Sequence, residues 1–337
     1  MVQLFCIFSL LLWQSCQNLP VPVEVQDPVA ERMLLYQRSN GGWPQPGGSP
    51  IKYELPLTTD FQTKLVQDKN KLDATFDDQA TNREIRYLVK AYVKTRNPAY
   101  KNAAEAGIAY IFSAQNAQGG WPQFYPDKSS YRSFITFNDQ AMTQTLWTLQ
   151  SLVEGKEGFD QLNANLVPKA VQAIDKGIQC ILNCQIIQKG VRMVWCAQHH
   201  PETLAPAKAR AFELPSFSGS ESVEILRFLM HQPNPTDELK SAILAGCAFL
   251  EKVKLSGINV VDQYGDRVVI QDPNHTLWAR FYDLQNHQPM FVGRDGIPKN
   301  SLAEIEIERR TGYAYYGTWP KNLLAKELPQ WKKIHGL

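Results

Sequence analysis

Apolar residues recur at helical spacing in three segments of the chain, and each segment is followed by a second one of the same kind. In the first segment the apolar positions lie three and four residues apart, at Ile85, Leu88, Val89 and Tyr92. This is the period of a helix with one buried face. A break at 97–98 interrupts the helix, and the same spacing then continues to residue 116. The pattern predicts an αα-hairpin over this part of the chain.

Two further hairpins follow with the same design. The second is predicted from apolar periods over 142–153 and 167–181, and the third from periods over 218–229 and 239–250. Hairpins of this kind bury their apolar stripes only against neighbouring hairpins. The units therefore either close into a toroid or form a short curved array. We expect a mainly α fold that forms a single domain over residues 21–337.

A long irregular segment containing a tryptophan leads into each hairpin. The first two segments contain the identical motif GGWPQ, at 41–45 and 119–123, and the third contains VWCAQ around Trp195. We expect these leading loops to gather on one face of the helices, where a rigid scaffold usually carries its site, and the tryptophans to pack at helix ends. Strand-like alternation is sparse, and its clearest instance, DRVVIQD at 266–272, predicts a small hairpin edge.

A second motif follows each GGWPQ, as TFDDQA at 75–80 and TFNDQA at 136–141. Each copy places a threonine three residues before an acid, and the third unit has a serine in the same relation to a glutamate. In this spacing the hydroxyl caps a free backbone N–H of a helix while the acid faces the positive helix end. We expect three capping pairs, which are Thr75 with Asp78, Thr136 with Asp139, and Ser218 with Glu221.

Capping does not account for the extra oxygen donors of the first two copies. The first copy carries Asp77 beside Asp78, and the second carries Asn138 beside Asp139. If the two loops converge, these four side chains form an all-oxygen cluster, which suits Ca²⁺ or Mg²⁺ rather than zinc. The cluster lacks the consecutive spacing of an EF-hand loop, so spacing alone is a weak indication of a metal.

Basic residues concentrate in the later loops. Lys208 and Arg210 precede the third hairpin, and Arg280 and Arg294 lie in a long segment rich in turn-forming residues. The planar fork of arginine suits a carboxylate. Together with an oxygen-ligated cation, these residues would make a site for an acidic polymer.

Composition narrows the classes of function. A chain of 337 residues with 44% hydrophobic residues can bury a substantial core. The net charge of +2, without a basic stripe interleaved with aromatic residues, argues against nucleic acid as a partner. His199 and His200 have no partner at a catalytic spacing, and we interpret them as loop hydrogen-bonders. Cysteines without a CxxC pair are interpreted as small core residues, namely Cys180, Cys184, Cys196 and Cys247.

The first 20 residues contain an apolar run over 4–13 that is too short to cross a bilayer as a helix. We interpret residues 1–20 as an export signal, so the protein is expected outside the cytoplasm, extracellular or periplasmic, without a membrane span. The stretch WQSC also leaves open a lipid anchor at Cys16.

Several longer stretches resemble the polysaccharide lyase family 10 pectate lyases. They are GGWPQFYP, TFNDQAM, VWCAQHHPETLAPAKARAFELPSFSGSESVEILRFLM, WARFYDL, VGRDGI and EIERRTGYAYYGTWP, and the resemblance covers nearly all of the chain after the leader. It implies an (α/α)3 toroid and Ca²⁺-assisted β-elimination on polygalacturonate, which leaves a 4,5-unsaturated sugar at the new non-reducing end. Neutralising the carboxylate next to the C5 proton makes the carbanion-like transition state accessible.

The resemblance also implies roles for individual residues. Asp77 and Asp139 match the family's ligands for the catalytic Ca²⁺, and Arg294 matches its proton-abstracting arginine. Arg210 and Arg280 match arginines near the substrate carboxylates. Lys208 is added as a substrate contact from its neighbourhood alone.

Two features of this assignment have physical consequences. Asp78 stands where the family pattern has an amide, and a third carboxylate would tighten Ca²⁺ binding while repelling an anionic substrate. An arginine base, whose pKa lies above about 12, needs strongly cationic surroundings or a high pH. We therefore expect an alkaline pH optimum.

Two other functions remain open on the residues alone. A glycoside hydrolase could use Asp77 and Asp139 as general acid and base, and would give saturated products without a metal. A non-catalytic toroid would bind pectin without turnover. The basic residues beside acidic ones favour the lyase, and we expect a monomer that acts on polygalacturonate.

Overall fold

The computed structural model describes residues 26–337, so the expected leader over 1–20 and the anchor at Cys16 lie outside the described residues. The described chain is mainly α-helical, as the apolar periods predict. Its helices are α1 (Pro28–Tyr36), α2 (Thr59–Gln67), α3 (Asn82–Thr95), α4 (Pro98–Ala114), α5 (Ala141–Glu154), α6 (Val167–Cys184), α7 (Glu221–Met230), α8 (Asp237–Lys252), α9 (Ile307–Gly312), α10 (Trp319–Asn322) and α11 (Leu328–Ile334). A π-helical turn, Leu323–Glu327, joins the last two helices.

The three predicted hairpins are confirmed as the pairs α3–α4, α5–α6 and α7–α8, in which the two helices pack on each other. The first helices also contact one another in order, α3 with α5 and α5 with α7, and α4 contacts α6. Local sequence sets the helix starts. Asn97 caps α4 by accepting the Ala99 N–H at 2.9 Å, and Thr236 caps α8 by accepting the Leu239 N–H at 3.2 Å.

Buried tryptophans tie each leading loop to the helix that precedes it. In each case the indole N–H donates to a backbone carbonyl near the end of that helix, in α1, α4, α6 and α8 in turn. The pairs are Trp43 with Met33 (2.8 Å), Trp121 with Ile111 (2.8 Å), Trp195 with Ile181 (2.7 Å) and Trp278 with Leu250 (2.7 Å). The predicted packing of tryptophans at helix ends is thus confirmed, and Trp278 is a further copy that the motifs did not indicate.

Three glutamines connect these helices to one another. Gln37, Gln115 and Gln185 each follow the end of α1, α4 or α6. Each side-chain amide donates to a carbonyl of its own leading loop and to one in the next helix of the series. The acceptors in the next helix are Ala103 of α4 (2.9 Å), Ala173 of α6 (2.8 Å) and Ala242 of α8 (2.9 Å). The helix α1 therefore occupies, ahead of the first hairpin, the position of a second hairpin helix.

The glycines of GGWPQ are required by the same packing. Gly41 and Gly119 have φ of 94° and 89°, and a Cβ at either would lie 2.2 Å from a carbonyl oxygen, of Ala106 in α4 and Lys176 in α6 respectively. No side chain fits there, and a positive φ also favours glycine. The identical motif therefore reflects an identical contact between a leading loop and a helix.

Short antiparallel strands form local hairpins in the loops, and two of the strand pairs join a leading loop to a later one. The strands are β1 (Ile135–Thr136), β2 (Ile187–Gln188), β3 (Val191–Arg192), β4 (Gln198–His199), β5 (Phe217–Ser218), β6 (Leu255–Gln263), β7 (Asp266–Ala279), β8 (Phe281–Tyr282), β9 (Phe291–Val292), β10 (Pro298–Lys299) and β11 (Tyr316–Gly317). They pair as β1–β4, β2–β3, β5–β8, β9–β10 and the three-stranded order β11–β7–β6, and the two pairs that join a leading loop to a later one are β1–β4 and β5–β8. The predicted small edge at 266–272 is part of the longest hairpin, β6–β7, and is larger than expected.

The cysteines and histidines follow their structural interpretation. Cys180, Cys184, Cys196 and Cys247 are buried and unbridged. The His199 ring is fully buried and accepts the Cys196 N–H at 3.0 Å, and burial lowers its pKa to about 4, so it is a neutral structural residue. None of the helices within residues 26–337 has the length and apolar character of a membrane span.

Replacing Gly119 by alanine is expected to destabilise the fold strongly, because the new Cβ meets the Lys176 carbonyl. Gly190→Ala is the matched control, since Gly190 also has a positive φ, 77°, but no atom lies within 4 Å of its Cβ position. Chemical unfolding should show Gly119→Ala losing at least about 2 kcal/mol more than the control. Equal losses in the two variants would contradict the contact.

Candidate metal and substrate site

The repeated TFDD and TFND motifs precede their helices and do not cap them. Thr75 Oγ1 accepts the Asp77 N–H at 3.0 Å and donates to the Gln123 carbonyl at 2.7 Å, while Thr136 Oγ1 donates to the Phe134 carbonyl at 2.9 Å. The helices start later, and neither start receives a side-chain cap from within residues 26–337. The prediction of capping is wrong for these two copies, because extra residues separate each motif from its helix.

The third copy does cap its helix. Ser218 Oγ accepts the Glu221 N–H at 3.0 Å, and Glu221 is the first residue of α7. The prediction is confirmed for this pair. The copies differ in the distance from hydroxyl residue to helix start, which is seven residues from Thr75 to Asn82, five from Thr136 to Ala141, and three from Ser218 to Glu221.

Left-handed backbone turns the first two copies away from their helices. Asp78 and Gln79 have φ of 43° and 66°, and Asp139 and Gln140 have φ of 48° and 62°. Non-glycine residues adopt this region at a cost, and such strain concentrates at functional sites. The two copies share the same unusual turn, which brings their carboxylates to one place.

The carboxylates of Asp77, Asp78 and Asp139 form a triad, with one oxygen from each lying within 4.8 Å of the others. Burial is the main cause of a raised pKa at Asp139, to about 6, with Glu221, Asp77 and Asp78 adding to the rise and Arg280 opposing it. Burial also raises the pKa of Asp77. Clustered carboxylates that resist ionisation would be relieved by a bound cation, and three hard oxygen donors fit Ca²⁺ or Mg²⁺.

Two glutamines of the GGWPQ motifs support this triad. The Gln45 amide donates to Asp78 Oδ2 at 2.8 Å, and hydrogen bonding from Gln123 opposes the pKa rise that burial causes at Asp77. The sequence analysis did not assign these residues. The repeated motif was the available signal, because the same glutamine stands two residues after each tryptophan.

Asn138 links the triad to a basic residue. Its amide N–H donates to Asp139 Oδ2 at 2.5 Å, and its Oδ1 accepts from Arg280 Nη2 at 3.2 Å. In this arrangement the amide oxygen faces Arg280 rather than the triad. Asn138 as a metal ligand therefore stays a prediction.

Arg280 lies beside the triad and is mostly buried. It forms an ion pair with Glu221, its Nη2 is 3.8 Å from Asp139 Oδ1, and its guanidinium lies 4.6 Å from the centre of the Tyr313 ring. Its Nε is buried and finds no hydrogen-bond partner among residues 26–337. The Nη2 side of the Arg280 guanidinium is therefore held by Glu221, while the Nε–H has no acceptor among the described residues.

Arg210 is held in a similar way by a different buried acid. Its Nε and Nη2 donate to Glu213 at 2.7 and 2.5 Å, and the Tyr313 hydroxyl donates to the same carboxylate at 3.1 Å. Although burial disfavours its charge, the hydrogen bonds and charge of Glu213 raise the pKa of Arg210 overall. The sequence analysis missed Glu213 and Tyr313, because they stand at no repeated spacing, and it interpreted Glu221 as a helix-capping acid without indicating its contact with Arg280.

Arg294 and Lys208 lie at the exposed edge of the group. The Arg294 side chain is 57% exposed, and its Nη2 donates to Glu308 Oε1 at 2.9 Å. This hydrogen bond is the main cause of a raised pKa at Arg294. The Phe212 ring connects Arg294 to the rest of the site. The centre of this ring lies 5.5 Å from the Arg294 guanidinium and 4.9 Å from the Arg210 guanidinium. Lys208 is exposed in the same loop as Arg210.

Comparison with known proteins shows the family to which the chain belongs. The family model described as pectic acid lyase matches residues 37–324. The chain belongs to this family. It is a lyase that acts on pectate, and its predicted resemblance to polysaccharide lyase family 10 is confirmed.

Solved structures agree with the family match. This pectic acid lyase is 32% identical to a family 10 polysaccharide lyase from Cellvibrio cellulosa, with a TM-score of 0.82 over 92% of each chain. It is also 32% identical to an aspartate-to-alanine mutant of a family 10 polysaccharide lyase from Cellvibrio cellulosa in complex with trigalacturonic acid, with a TM-score of 0.81 over 90% of this chain and 91% of the other. The comparison with curated proteins found no match.

The metal-free lyase should become more stable when Asp139 is replaced by asparagine. The folded-state pKa of about 6 lies above the ordinary value of 3.8. Ionised Asp139 thus destabilises the fold increasingly as pH rises from 3.8 to 6, and by a constant amount above that range. Chemical unfolding with chelator at pH well above 6 should show Asp139→Asn gaining about 1 kcal/mol after allowance for solvent screening.

The same measurement at a pH near the ordinary value is the control, because Asp139 is then protonated in the folded lyase and the gain should vanish. A gain that is independent of pH would contradict the repulsion.

Proposed function

We propose that this lyase cleaves polygalacturonate by Ca²⁺-assisted β-elimination and releases 4,5-unsaturated oligogalacturonates. One observation carries the proposal: a carboxylate triad within 4.8 Å lies next to Arg280, whose Nη2 is 3.8 Å from Asp139. An acidic polysaccharide needs both a cation and fixed guanidinium groups to approach such a cluster.

The helices support a closed arrangement as the scaffold. The first hairpin helices contact in the order α3, α5, α7, and the amide links of the glutamines run in the order α1, α4, α6, α8. In an (α/α)3 toroid the first helices and the second helices of three hairpins form two such series. We therefore propose the toroid as the architecture that holds the leading loops on one face.

Ca²⁺ is the proposed cofactor, and Asp77, Asp78 and Asp139 are its proposed protein ligands. The ion prefers six to eight oxygen ligands, so three carboxylates leave positions for water and for a substrate carboxylate. When bound, it would withdraw charge from the substrate carboxylate and so acidify the neighbouring C5 proton. Asp78 makes the site more negative than an amide would, and Gln45 offsets part of that charge by hydrogen bonding.

Arg210 and Arg280 are proposed to bind substrate carboxylates. Glu213 holds one edge of Arg210, and Glu221 holds Arg280, so each fork keeps a fixed orientation and spare donors. A planar fork with a spare edge suits a carboxylate. Exposed Lys208 is proposed as an additional contact on the same loop as Arg210.

Arg294 is proposed as the base that takes the C5 proton. A neutral guanidine is rare at ordinary pH, and the contact with Glu308 raises the pKa of Arg294 further. Substrate must therefore separate the two side chains before Arg294 can act, and the reaction should be favoured at alkaline pH. Both side chains are largely exposed, so the contact is weak and open to exchange.

The two rival functions fit less well. Membership of a lyase family argues against a hydrolase and against a binding protein without turnover. Export remains part of the proposal because of the expected leader over 1–20. A monomer is also proposed.

The unsaturated product gives a direct test of elimination. Polygalacturonate treated with the lyase and Ca²⁺ at alkaline pH should gain ultraviolet absorbance, and chelator should abolish the gain. New reducing ends without absorbance would indicate hydrolysis and overturn the proposal. Binding with neither signal would indicate a non-catalytic protein.

Arg294→Ala should lower kcat by about 10²–10⁴, the usual contribution of a general base, while Ca²⁺ affinity stays unchanged because Arg294 is not a ligand. Initial rates from ultraviolet absorbance and Ca²⁺ titration by calorimetry would measure the two quantities. Arg132→Ala is a control, since Arg132 is an arginine stacked on Phe124 at 4.7 Å. A bell-shaped pH profile centred in the acidic range would contradict an arginine base.

A further inference from the structure

Glu221 is the acid of the third motif copy, yet it does not belong to the triad. It stands three residues after Ser218, as Asp139 stands three after Thr136. The triad consists of acids from the first two copies alone. Glu221 is only 5% exposed, and its carboxylate accepts from the Ser218 hydroxyl and forms an ion pair with Arg280.

Arg280 has two possible carboxylate partners, and the structure separates them. Its Nη2 contacts Glu221 closely but remains 3.8 Å from Asp139 Oδ1. Asn138 bridges Arg280 and Asp139. Its Oδ1 accepts from Arg280 at 3.2 Å, and its amide N–H donates to Asp139 at 2.5 Å. The guanidinium is thus held within ion-pair distance of a triad oxygen but just beyond hydrogen-bond distance of it.

The backbone around Glu221 and Arg280 leaves little freedom for this arrangement to shift. Strands β5 and β8 pair immediately beside the two residues, and the Gly219 N–H donates to the Arg280 carbonyl at 2.9 Å. A Cβ at Gly219 would lie 2.3 Å from the Ala279 carbonyl oxygen. The Arg280 N–H donates to the Tyr315 carbonyl at 2.7 Å. The two side chains therefore meet on rigidly joined segments.

Glu221 is also held at the start of a helix. Glu221 begins α7, a helix of ten residues, so its charge faces the positive helix end. Its own backbone N–H is satisfied by Ser218.

We propose that Glu221 is a positioning residue that holds Arg280 away from Asp139, which keeps Asp139 available to Ca²⁺ and Arg280 available to a substrate carboxylate. The inference rests on the proposed Ca²⁺ site. The third copy of the motif supplies an arginine anchor where the first two supply metal ligands. Without this anchor, Arg280 moves onto Asp139 and competes with the cation for the same oxygens.

Calorimetric titration of the full chain with Ca²⁺, without substrate, tests this role independently of turnover. Glu221→Gln keeps the shape of the side chain and is expected to weaken Ca²⁺ binding roughly tenfold. A cation beside a carboxylate lowers its affinity for a proton by at least that factor, and Arg280 against Asp139 should lower the affinity for Ca²⁺ in the same way. Glu224→Gln is the matched control, as Glu224 lies on the same helix but pairs with Arg227. It should leave Ca²⁺ affinity unchanged.

A double-mutant cycle separates positioning from the direct attraction of a negative charge. If Glu221 acts through Arg280, Arg280→Gln binds Ca²⁺ at least as tightly as the wild type, and adding Glu221→Gln to it changes nothing further. If Glu221→Gln weakens binding equally with and without Arg280, the effect is direct charge and the inference is overturned. Thermal melts check that each variant is folded.

Glu221→Asp provides a second test if Glu221→Gln fails to fold. It retains the charge but shortens the arm, so positioning predicts weaker Ca²⁺ binding and direct charge predicts no change. A wild-type protein that binds no Ca²⁺ would overturn the proposed metal site, and with it this role. If the wild type binds Ca²⁺ and the effects of Glu221→Gln and Arg280→Gln on Ca²⁺ affinity are additive, the positioning role alone is overturned.

Discussion

The structure depends on a repeated pair of contacts at the ends of its second hairpin helices. A buried indole N–H donates to a carbonyl near the end of a helix, and a glutamine just after the helix reaches the next helix in the series. The indole satisfies a carbonyl in the last turn of its helix, and the glutamine amide joins that helix end to the next helix in the series. The glycines before Trp43 and Trp121 allow the leading loop to approach the helix closely enough for both bonds.

Carboxylates cluster in one part of the site and arginines in another, and the two groups have different partners. Three carboxylates meet with glutamine donors beside them, and two of them have raised pKa values because of burial. The arginines, in contrast, each meet a buried carboxylate, Arg210 with Glu213 and Arg280 with Glu221. The two guanidinium groups are therefore held in place by ion pairs with carboxylates. Within residues 26–337, the charge of the triad is not balanced by an equally close cation of its own.

One motif has acquired different functions in the three units. The first two copies are set apart from their helices by residues with positive φ, and this projects their acids into shared space. In the third copy Glu221 is the first residue of the helix, and its carboxylate turns to Arg280. A change of a few residues in the distance from motif to helix thus separates an acid of the triad from the acid that pairs with Arg280.

The sequence by itself determined the three hairpins, because periodic burial of Ile85, Leu88 and Val89 and of their counterparts is a local property that each segment carries alone. It also indicated the acids of the two copies and the basic residues that join them. It misjudged the capping role of Thr75 and Thr136, since the left-handed turns after them have no propensity signal. Only the tertiary structure decided that Glu213, Glu221 and Tyr313 hold the arginines. Those contacts join residues that are up to 100 positions apart, and a distance across the fold leaves no trace in local spacing.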